Sequence, residues 1–453
     1  MPEVANYKRI IVCCDGTWMA ANTGDASTPS NVAKIARAIA PHAVVDGKIV
    51  TQVVSYNAGL GSTSLPFAKA IEGGLGWGLD VEVTQVYDFI SNNYELGDEL
   101  FFLGFSRGAF TVRSAACLVS EIGILSAVNM GSFADMWKAY RARSSKSPFE
   151  ESKWYRDNSE RLKIRTVQVK VVGVWDTVGA LGVPQWPGVT ALQAVGIPLN
   201  QKYAFHDTSL PRNIQHGFQA LALDEKRITF PPTMWHQTAS REQRLEQCWF
   251  PGVHSNVGGQ ADDPVEDGDR GEIAANTLAW MASTLWIAID NIGTILTFEA
   301  EAIDLLISQH TAALVQNGDP SSWGCGKIVD NFAGLSGTFF RILGQQIRTP
   351  GAYSDDTREF THPMVRYRRA RVPGWKPAAI TGLTLSDRSE TAVNWGKAGQ
   401  NNVPEYPMFV EREFSVAKRN EDGSWEHTTR SNLARELCPK DVFRWLYPSL
   451  QQE

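Results

Sequence analysis

Apolar runs alternate with amphipathic segments along the first part of the chain. Lys8 to Cys14, Ile49 to Ser55 and Thr166 to Trp175 are largely apolar and rich in β-branched residues, as is typical of strands buried on both faces. Asn31 to Ile39 and Leu79 to Tyr94 carry apolar residues at the spacing of a helix. Strands that alternate with helices predict a parallel sheet covered on both faces.

The later elements are less regular. The pattern predicts a helix over Phe133 to Arg143, a short strand over Gln247 to Gly252 and a helix from Ala274 to Ile292. Ile214 to Asp224 is apolar and fits either a strand or a helix. The remainder, to Glu453, predicts helices mixed with irregular stretches rich in Arg and Pro.

One stretch predicts chemistry as well as structure. Four apolar residues, Leu100 to Leu103, precede the turn Gly104-Phe105-Ser106-Arg107-Gly108, and a helical segment follows. This is the order of a nucleophile elbow, in which a sharp turn raises the serine Oγ above the sheet. Gly104 and Gly108 leave room for that turn, which makes Ser106 the candidate nucleophile. The alternative is a serine that caps the helix.

Two further candidates follow predicted strands. Asp176 ends the strand predicted to Trp175, at the edge where α/β sheets place functional groups, and His254 follows the strand predicted over Gln247 to Gly252. A serine needs a base to become a nucleophile, and the base needs an orienting carboxylate. The chain order Ser, Asp, His is that of the α/β-hydrolases. The alternatives are an Asp176 that caps a turn and a His254 that is structural.

Composition narrows the class of protein. A formal net charge of -6 without a basic stripe argues against nucleic acid as a partner. The six cysteines show no C-x-x-C spacing, which favours free thiols. No signal-peptide pattern appears, and no window reaches the ~18 apolar residues needed to span a bilayer. We therefore expect a cytoplasmic location, and the predicted chemistry requires no metal or organic cofactor.

Several segments together carry a family resemblance. They are VCCDGTW (12–18), GFSRGAFTVRSAA (104–116), VVGVWDTVG (171–179), QALALDEKR (219–227) and WFPGVHSNVGG (249–259). The set resembles the DUF2235 family, whose characterised bacterial members are phospholipase effectors of type VI secretion, and this chain resembles its eukaryotic, mainly fungal branch. The resemblance covers residues 1–290 in order, with a weaker echo at RTPGAY and HPMVRYR within 348–368.

The resemblance assigns the same three residues, Ser106, Asp176 and His254, to a catalytic triad. Two positions depart from the family pattern. Bacterial relatives usually have Asn where this chain has Met19, and many have Asp where it has Asn256. Both positions flank the predicted triad, so they bear on the choice of substrate more than on the chemistry.

An oxyanion hole is expected from two backbone N–H groups, one of them on the residue after the nucleophile, Arg107. Because the family keeps the Asp15-Gly16-Thr17 loop beside the elbow, the resemblance places the second donor at Gly16 or Thr17. Asp15 is an anion close to this position, so we expect it to turn away and pin the loop through hydrogen bonds. The Arg107 side chain is a candidate partner for Asp15.

Other polar groups compete for a role. His362, in the weaker echo, is a candidate second polar group facing the pocket, and His206-Asp207 with His216 are an alternative base and acid. The acidic stretch Asp262 to Glu272 could ligate Ca²⁺, but it lacks EF-hand spacing, which favours a solvated loop. Fifteen tryptophans are compatible with an apolar acyl pocket or a transient contact with a membrane surface, although most should be core.

The sequence thus predicts an α/β-hydrolase fold, a mostly parallel sheet flanked by helices, with a helical and irregular C-terminal elaboration. The catalytic domain is expected over residues 1–295, with a lid over 181–211, and an extension over 296–453 packs on it. The predicted function is that of a serine esterase, phospholipase-like, acting on a small ester or lipid. The alternatives are a binding or regulatory protein with a vestigial site, and a serine peptidase or acyltransferase on the same fold.

Overall fold

The fold is known from a computed structural model of the chain, in which a mostly parallel sheet runs through the centre. The described residues are 3–16, 29–59, 78–142, 148–178, 209–228, 230–237, 243–259, 270–285, 296–316, 322–332, 341, 344–387, 393–397, 399–408, 410 and 413–451.

The strands are numbered in chain order. They are β1 (Val4–Cys14), β2 (His42–Val45), β3 (Lys48–Asn57), β4 (Glu99–Phe105), β5 (Val169–Trp175), β6 (Ile214–Ala222), β7 (Arg244–Phe250), β8 (Thr297–Glu299), β9 (Glu359–Thr361), β10 (Thr384–Asp387), β11 (Val393–Gly396), β12 (Val403–Pro404), β13 (Phe414–Arg419) and β14 (Trp425–Arg430). Among the described residues, the main sheet has the order β2-β3-β1-β4-β5-β6-β7-β9, and only β2 pairs antiparallel.

The α-helices are numbered in the same way. They are α1 (Asn31–Ala38), α2 (Gly78–Asn93), α3 (Ser106–Ile122), α4 (Phe133–Ala142), α5 (Lys153–Asn158), α6 (His254–Gly258), α7 (Arg270–Thr284), α8 (Ala300–Gln316), α9 (Pro363–Arg371), α10 (Leu433–Glu436) and α11 (Lys440–Leu446). Within the described ranges, no helix combines the length and the apolar character needed to span a lipid bilayer.

The alternation of side chains along β1 shows why the sheet needs helices on both faces. Ile11 and Cys13 pack in one apolar cluster, with residues of α1 and α7, whereas Ile10 and Val12 pack in a second cluster with residues of α2 and α3. All four side chains are essentially without solvent contact. Because successive residues of a strand point to opposite faces, a continuous apolar run requires cover on both. The predicted α/β fold class is confirmed.

The strand order creates a topological switch point at the carboxyl edge of the sheet. The strand β1 lies between β3 and β4. The connection that follows β1 runs towards β3, whereas the connection that follows β4 runs towards β5, in the opposite direction. In open α/β sheets, ligands bind outside the carboxyl ends of the strands at such a switch point. Asp15 follows β1 and Ser106 follows β4, and both therefore lie at this position.

The structure resolves the ambiguous apolar segment and adjusts one helix. The stretch from Ile214 is a strand, β6, which pairs with β5 and β7 and is therefore internal to the sheet. The helix predicted from Ala274 begins earlier, at Arg270. Most of the predicted lid, 181–211, lies outside the described residues.

The C-terminal elaboration is present, but it contains more strand than its sequence predicted. The strand β9 joins the main sheet beside β7, while β10 to β12 and β14-β13-β8 form two small sheets. The apolar cluster that contains Ile11 extends to Phe414 and Leu446, so residues after 295 share a core with the sheet. The boundary at residue 295 between a catalytic domain and an extension stays a prediction.

The fold buries His216, on β6, in a way that makes stability depend on pH. Burial, and then the charges of Arg244 and Lys170, lower the pKa of His216 to about 4. In the unfolded chain a histidine has a pKa of about 6.5, so the unfolded state binds more protons between these values. Stability should therefore fall as the pH falls from about 6.5 towards 4.

We predict that His216→Phe, which keeps the ring shape beside Phe218, flattens this dependence. The measurement is the urea midpoint of wild type and variant at about pH 7.5 and about pH 5. The variant should lose less stability than the wild type on acidification. Equal losses in the two proteins would contradict the prediction.

Candidate active site

The elbow places Ser106 at the junction of β4 and α3. Phe105 is still extended, with φ −126° and ψ 141°, and Ser106 has a φ of 57°, in the left-handed region that a residue with a side chain rarely occupies. Such strain is kept where surrounding structure enforces it, often at functional sites. Ser106 is thus not a capping serine: the N-cap position belongs to Phe105, and no side chain caps this helix.

Close backbone approaches require the two glycines of the turn. A Cβ on Gly108 would lie 2.2 Å from the carbonyl oxygen of Cys14, and one on Gly104 would lie 2.6 Å from Cγ2 of Val112. The start of α3 therefore packs directly against the end of β1. Only glycine at 108 lets the elbow and the loop after β1 share this space.

Three side chains from separate elements form one hydrogen-bonded chain. His254 lies at the start of α6, and its Nε2 is 2.8 Å from Oγ of Ser106. Its Nδ1 is 2.6 Å from Oδ2 of Asp176, which follows β5. Because an ionised carboxylate only accepts, Nδ1 carries the proton and Nε2 can accept the one on Ser106. The three predicted residues are brought together in the order Ser106, His254, Asp176.

The electrostatics favour a neutral imidazole beside a charged carboxylate. Asp176 has no solvent exposure, and burial alone would raise its pKa, but the charge of Arg348 and the hydrogen bond to His254 outweigh burial and hold the pKa well below the usual range. Burial lowers the pKa of His254, and the hydrogen bond and charge of Asp176 oppose that effect. At neutral pH the pair is therefore His neutral, Asp ionised, the state in which Nε2 can accept a proton.

Within the part of the chain that the structure describes, the carboxylate of Asp176 contacts neighbouring elements and not the turn that follows it. Its Oδ1 accepts from the backbone N–H of Ala222, at 3.0 Å, and from the Nη1 of Arg348. Its Oδ2 accepts from the Nη2 of Arg348, at 2.9 Å, as well as from His254. Every contact among the described residues therefore fixes the carboxylate plane.

His254 is held from several sides. Its backbone N–H donates to Oε2 of the buried Glu225, at 3.2 Å, and Glu225 is paired with Arg227. The imidazole packs against Phe105, with ring centroids 4.7 Å apart, and meets Phe230 edge-on at 4.9 Å. These contacts leave the ring little freedom to leave Ser106.

Asp15, the residue that follows β1, accepts three hydrogen bonds. Its Oδ2 accepts from the hydroxyls of Ser30, at 2.6 Å, and Tyr56, at 2.7 Å, and its Oδ1 accepts from the backbone N–H of Gly16, at 2.8 Å. Burial raises the pKa of Asp15, and these hydrogen bonds oppose that rise. Burial lowers the pKa of Arg107, and among the described residues the charge of Glu82 opposes that effect.

The contact with Asp15 corrects one candidate. Gly16 was predicted as a possible second oxyanion donor, but its N–H already donates to a carboxylate one residue away. An amide engaged in this way is not available to a developing oxyanion. The other candidate, Thr17, lies outside the described residues, and the amide of Arg107 lies in the first turn of α3, where helix N–H groups point beyond the helix end.

The competing histidines lie elsewhere. His216 is within β6 opposite Val171, whereas Asp176 follows the far end of the neighbouring β5, so His216 is not the base of this site. His362 caps α9 by accepting from the amide of Met364, and its ring stacks on Phe250. Burial lowers the pKa of His362 to about 3. The prediction that His362 faces the pocket is therefore wrong, because His362 lies in the core. His206 and Asp207 lie outside the described residues.

The acidic stretch is described only at its end. Asp262, Asp263, Glu266, Asp267 and Asp269 lie outside the described residues. Glu272 is buried at the start of α7 and accepts from the amide nitrogen of Asn276 and the backbone of Gly324, so this member is structural. Within the described parts of the chain, no group of three or more His, Cys, Asp or Glu side chains is arranged to hold a metal.

Comparison with known families identifies the chain. Residues 8–284, more than half of the sequence, match the family described as the type VI secretion system phospholipase effector Tle1-like catalytic domain. The chain belongs to this family. The membership confirms the predicted DUF2235 relationship and supports a hydrolase of the lipase or esterase type.

Individual relatives are distant. An uncharacterized protein of Saccharomyces cerevisiae is 25% identical over 241 residues, which cover 49% of this chain and 32% of the yeast protein, and fits the eukaryotic branch. Among solved structures, an uncharacterized protein from Pseudomonas aeruginosa is similar at 18% identity and a TM-score of 0.38, covering 67% of this chain and 48% of that one. The Tle1 effector bound to the VgrG spike of the type VI secretion system is similar at 17% identity and a TM-score of 0.30, covering 57% and 52%. The chain spans about half or less of the length of each of these proteins.

Sequence reasoning missed two charged residues beside the Tle1-like site. Arg348 opens the RTPGAY segment, after the family match ends, and Glu225 lies within QALALDEKR. Both segments stood out as motifs, but no local pattern indicated the partners of these side chains. Asn256, by contrast, has a structural role: its oxygen accepts from the N–H of Val253, and its nitrogen donates to the carbonyl of Lys327. An Asp at this position could accept the first hydrogen bond but, when ionised, could not donate the second.

The packing at Gly108 gives a stability prediction. Gly108→Ala should lower the free energy of unfolding by about 1–3 kcal/mol, because the added Cβ overlaps the backbone at the end of β1. Gly131→Ala is the matched control, since no atom lies within 4 Å of its added Cβ, and it should change stability by less than about 0.5 kcal/mol. Thermal unfolding of the three proteins measures both effects. A Gly108→Ala protein as stable as the control would contradict this packing.

Proposed function

We propose that the chain is a serine esterase that cleaves carboxylic esters of lipids, phospholipids among them, through an acyl-enzyme intermediate. The observation that carries the proposal is the continuous hydrogen-bonded chain from Ser106 through His254 to Asp176, at 2.8 and 2.6 Å. Family membership supports the lipid class of substrate, while the triad supports the chemistry.

The first half-reaction forms the acyl-enzyme. Oγ of Ser106 attacks the ester carbonyl carbon while Nε2 of His254 takes the hydroxyl proton, and the ionised Asp176 stabilises the imidazolium. The bond between the carbonyl carbon and the alcohol oxygen then breaks, and the departing alcohol takes the proton from Nε2. The acyl group remains on Ser106, and His254 is neutral again.

The oxyanion of the tetrahedral intermediate needs donors that are already oriented. We assign the backbone N–H of Arg107 and, in the loop after β1, that of Thr17, because the N–H of Gly16 is engaged by Asp15. Losing one such donor typically costs about 3–4 kcal/mol of transition-state stabilisation. Asp15 helps by fixing the loop, since its charge is satisfied by three hydrogen-bond donors.

The second half-reaction hydrolyses the acyl-enzyme and regenerates the free enzyme. His254 takes a proton from water, the hydroxide oxygen bonds to the acyl carbon, and the bond to Oγ of Ser106 breaks as Nε2 returns the proton to it. The carboxylic acid leaves. Every proton in both half-reactions passes through Nε2, so the lowered pKa of His254 keeps the base ready at neutral pH.

Ser106→Ala tests the nucleophile. The variant should lose labelling by a fluorophosphonate probe and lose ester hydrolysis by at least about 10³-fold, with thermal stability close to wild type. The substrate panel should include short p-nitrophenyl esters, long-chain phospholipids, a peptide and an acceptor alcohol. Labelling of Ser106→Ala at the wild-type rate would exclude Ser106. A wild type inert towards the probe and the whole panel would instead support the vestigial, regulatory alternative.

Asp176→Asn tests the acid. Turnover per folded molecule should fall by about 10³- to 10⁴-fold, because an amide does not fix the Nδ1–H tautomer of His254. Stability should also fall, by about 3–5 kcal/mol, because Arg348 is left buried beside a neutral group. The double variant Asp176→Asn/Arg348→Met should recover part of the stability and none of the turnover. Unchanged turnover in Asp176→Asn would remove Asp176 from the proposed triad.

A further inference from the structure

We infer that Arg348 is a positioning residue for the proposed acid, so that the active site is completed by the part of the chain that follows the family-matched region. The inference rests on the proposed function. Arg348 lies beyond residue 284, where the match to the catalytic domain ends, and yet its guanidinium contacts the carboxylate that orients His254.

The contact is a planar fork. Nη1 of Arg348 donates to Oδ1 of Asp176, and Nη2 donates to Oδ2 at 2.9 Å. The same two nitrogens also donate to the carbonyl oxygens of Ala222, at 2.8 Å, and Phe230, at 3.0 Å. Arg348 is 3% exposed, and its guanidinium is held by four acceptors. A bidentate guanidinium sets the orientation of a carboxylate as well as compensating its charge.

The segment that carries Arg348, residues 344–351, is attached to the rest of the fold at both ends, and we call it the strap. At its start, Gln345 forms a β-bridge with Arg227, and the N–H of Gln346 donates to the carbonyl of Lys226. At its end, the N–H of Gly351 donates to Oε2 of Glu359, at 3.1 Å. The strap thus bridges the loop after β6 and the last strand of the main sheet, and its position is set by the C-terminal part of the fold.

The fork and the N–H of Ala222 together fix the plane of the Asp176 carboxylate. The guanidinium donates to both oxygens, while Oδ1 also accepts from the N–H of Ala222 and Oδ2 also accepts from Nδ1 of His254, at 2.6 Å. Without the guanidinium, Oδ1 would keep one donor and Oδ2 only the imidazole. The carboxylate could then rotate, and its charge would act on His254 without a compensating cation.

Removal of Arg348 should shift the pKa of His254, the proposed base, in a definite direction. Among the described residues, Asp176, Arg227 and Glu225 are charged groups that act on His254, and Arg348 offsets the charge of Asp176 and, more weakly, that of Glu225. An uncompensated Asp176 stabilises the imidazolium, so the pKa of His254 should rise when Arg348 is removed. The acid limb of kcat/KM should then move to higher pH. A residue that only stabilises the fold would lower the amount of folded enzyme and leave the limb in place.

The experiment compares Arg348→Met and Arg348→Lys with a matched control. The control is Arg366→Met, which breaks another bidentate pair in the C-terminal part, between Arg366 and Glu405 at 2.9 and 2.8 Å. Per folded molecule, Arg348→Met should lose about 10- to 100-fold in kcat with KM nearly unchanged, as is usual for outer partners of functional side chains. Arg348→Lys should fall between Arg348→Met and wild type, and Arg366→Met should retain wild-type kcat.

Two further readouts separate positioning from folding. The acid limb of kcat/KM should move to higher pH in Arg348→Met and stay in place in Arg366→Met. Added guanidinium chloride, at concentrations below unfolding, should restore part of the kcat of Arg348→Ala, in which the side chain leaves space for the ion, and none of that of Asp176→Asn. An unmoved acid limb, or a kcat that falls only with the folded fraction, would overturn the inference.

A measurement independent of turnover distinguishes failure of this inference from failure of the proposed function. The low-field proton resonance between Nδ1 of His254 and Asp176, assigned through its loss in His254→Gln, reports the geometry of the pair directly. The chemical shift of this proton should change in Arg348→Met and stay the same in Arg366→Met. If Ser106→Ala keeps full activity, the proposed function fails while this comparison still decides the role of Arg348; an identical resonance in Arg348→Met and wild type would reject that role.

Discussion

A carboxylate removed from water needs compensation on all sides, and the arrangement of this site follows from that requirement at Asp176. Its donors come from three places: the backbone at the end of β6, the imidazole at the start of α6 and the guanidinium on the strap. Each of these elements reaches the same edge of the sheet by a different route through the chain. Isolated burial of such an anion would neutralise it, whereas here the surrounding donors keep it ionised.

The parts of the site that the sequence predicted are those set by local patterns. The elbow is recognisable because the strand, glycines and helix around Ser106 are contiguous, and Asp176 and His254 each follow a predicted strand. Arg348 was not predictable in this way, since it contacts a residue 172 positions earlier in the chain. The choice of Gly16 failed for a related reason: the sequence places an amide in the loop but does not show that Asp15 takes it.

In the fold, as in the site, elements marked by local sequence patterns were predictable, whereas elements that depend on pairing with distant strands were not. The parallel sheet was predictable because its strands are buried runs separated by helices. The apolar stretch from Ile214 became unambiguous only through pairing with β5 and β7. In the C-terminal part, the hairpin of β13 and β14 carried a readable signal that was missed, the Asp422-Gly423 pair at a turn where the glycine has a φ of 83°. The prediction of an irregular extension weighted its Arg and Pro content above this turn.

The strap also has a consequence for the order in which the protein is made. A ribosome adds about 5–20 residues per second, and Ser106, Asp176 and His254 all leave it before Arg348 does. On the inference drawn above, a nascent chain that has already folded its main parallel strands still lacks the cation beside Asp176. Hydrolytic competence would then arrive late in synthesis, after β7 has formed and once the strap is in place.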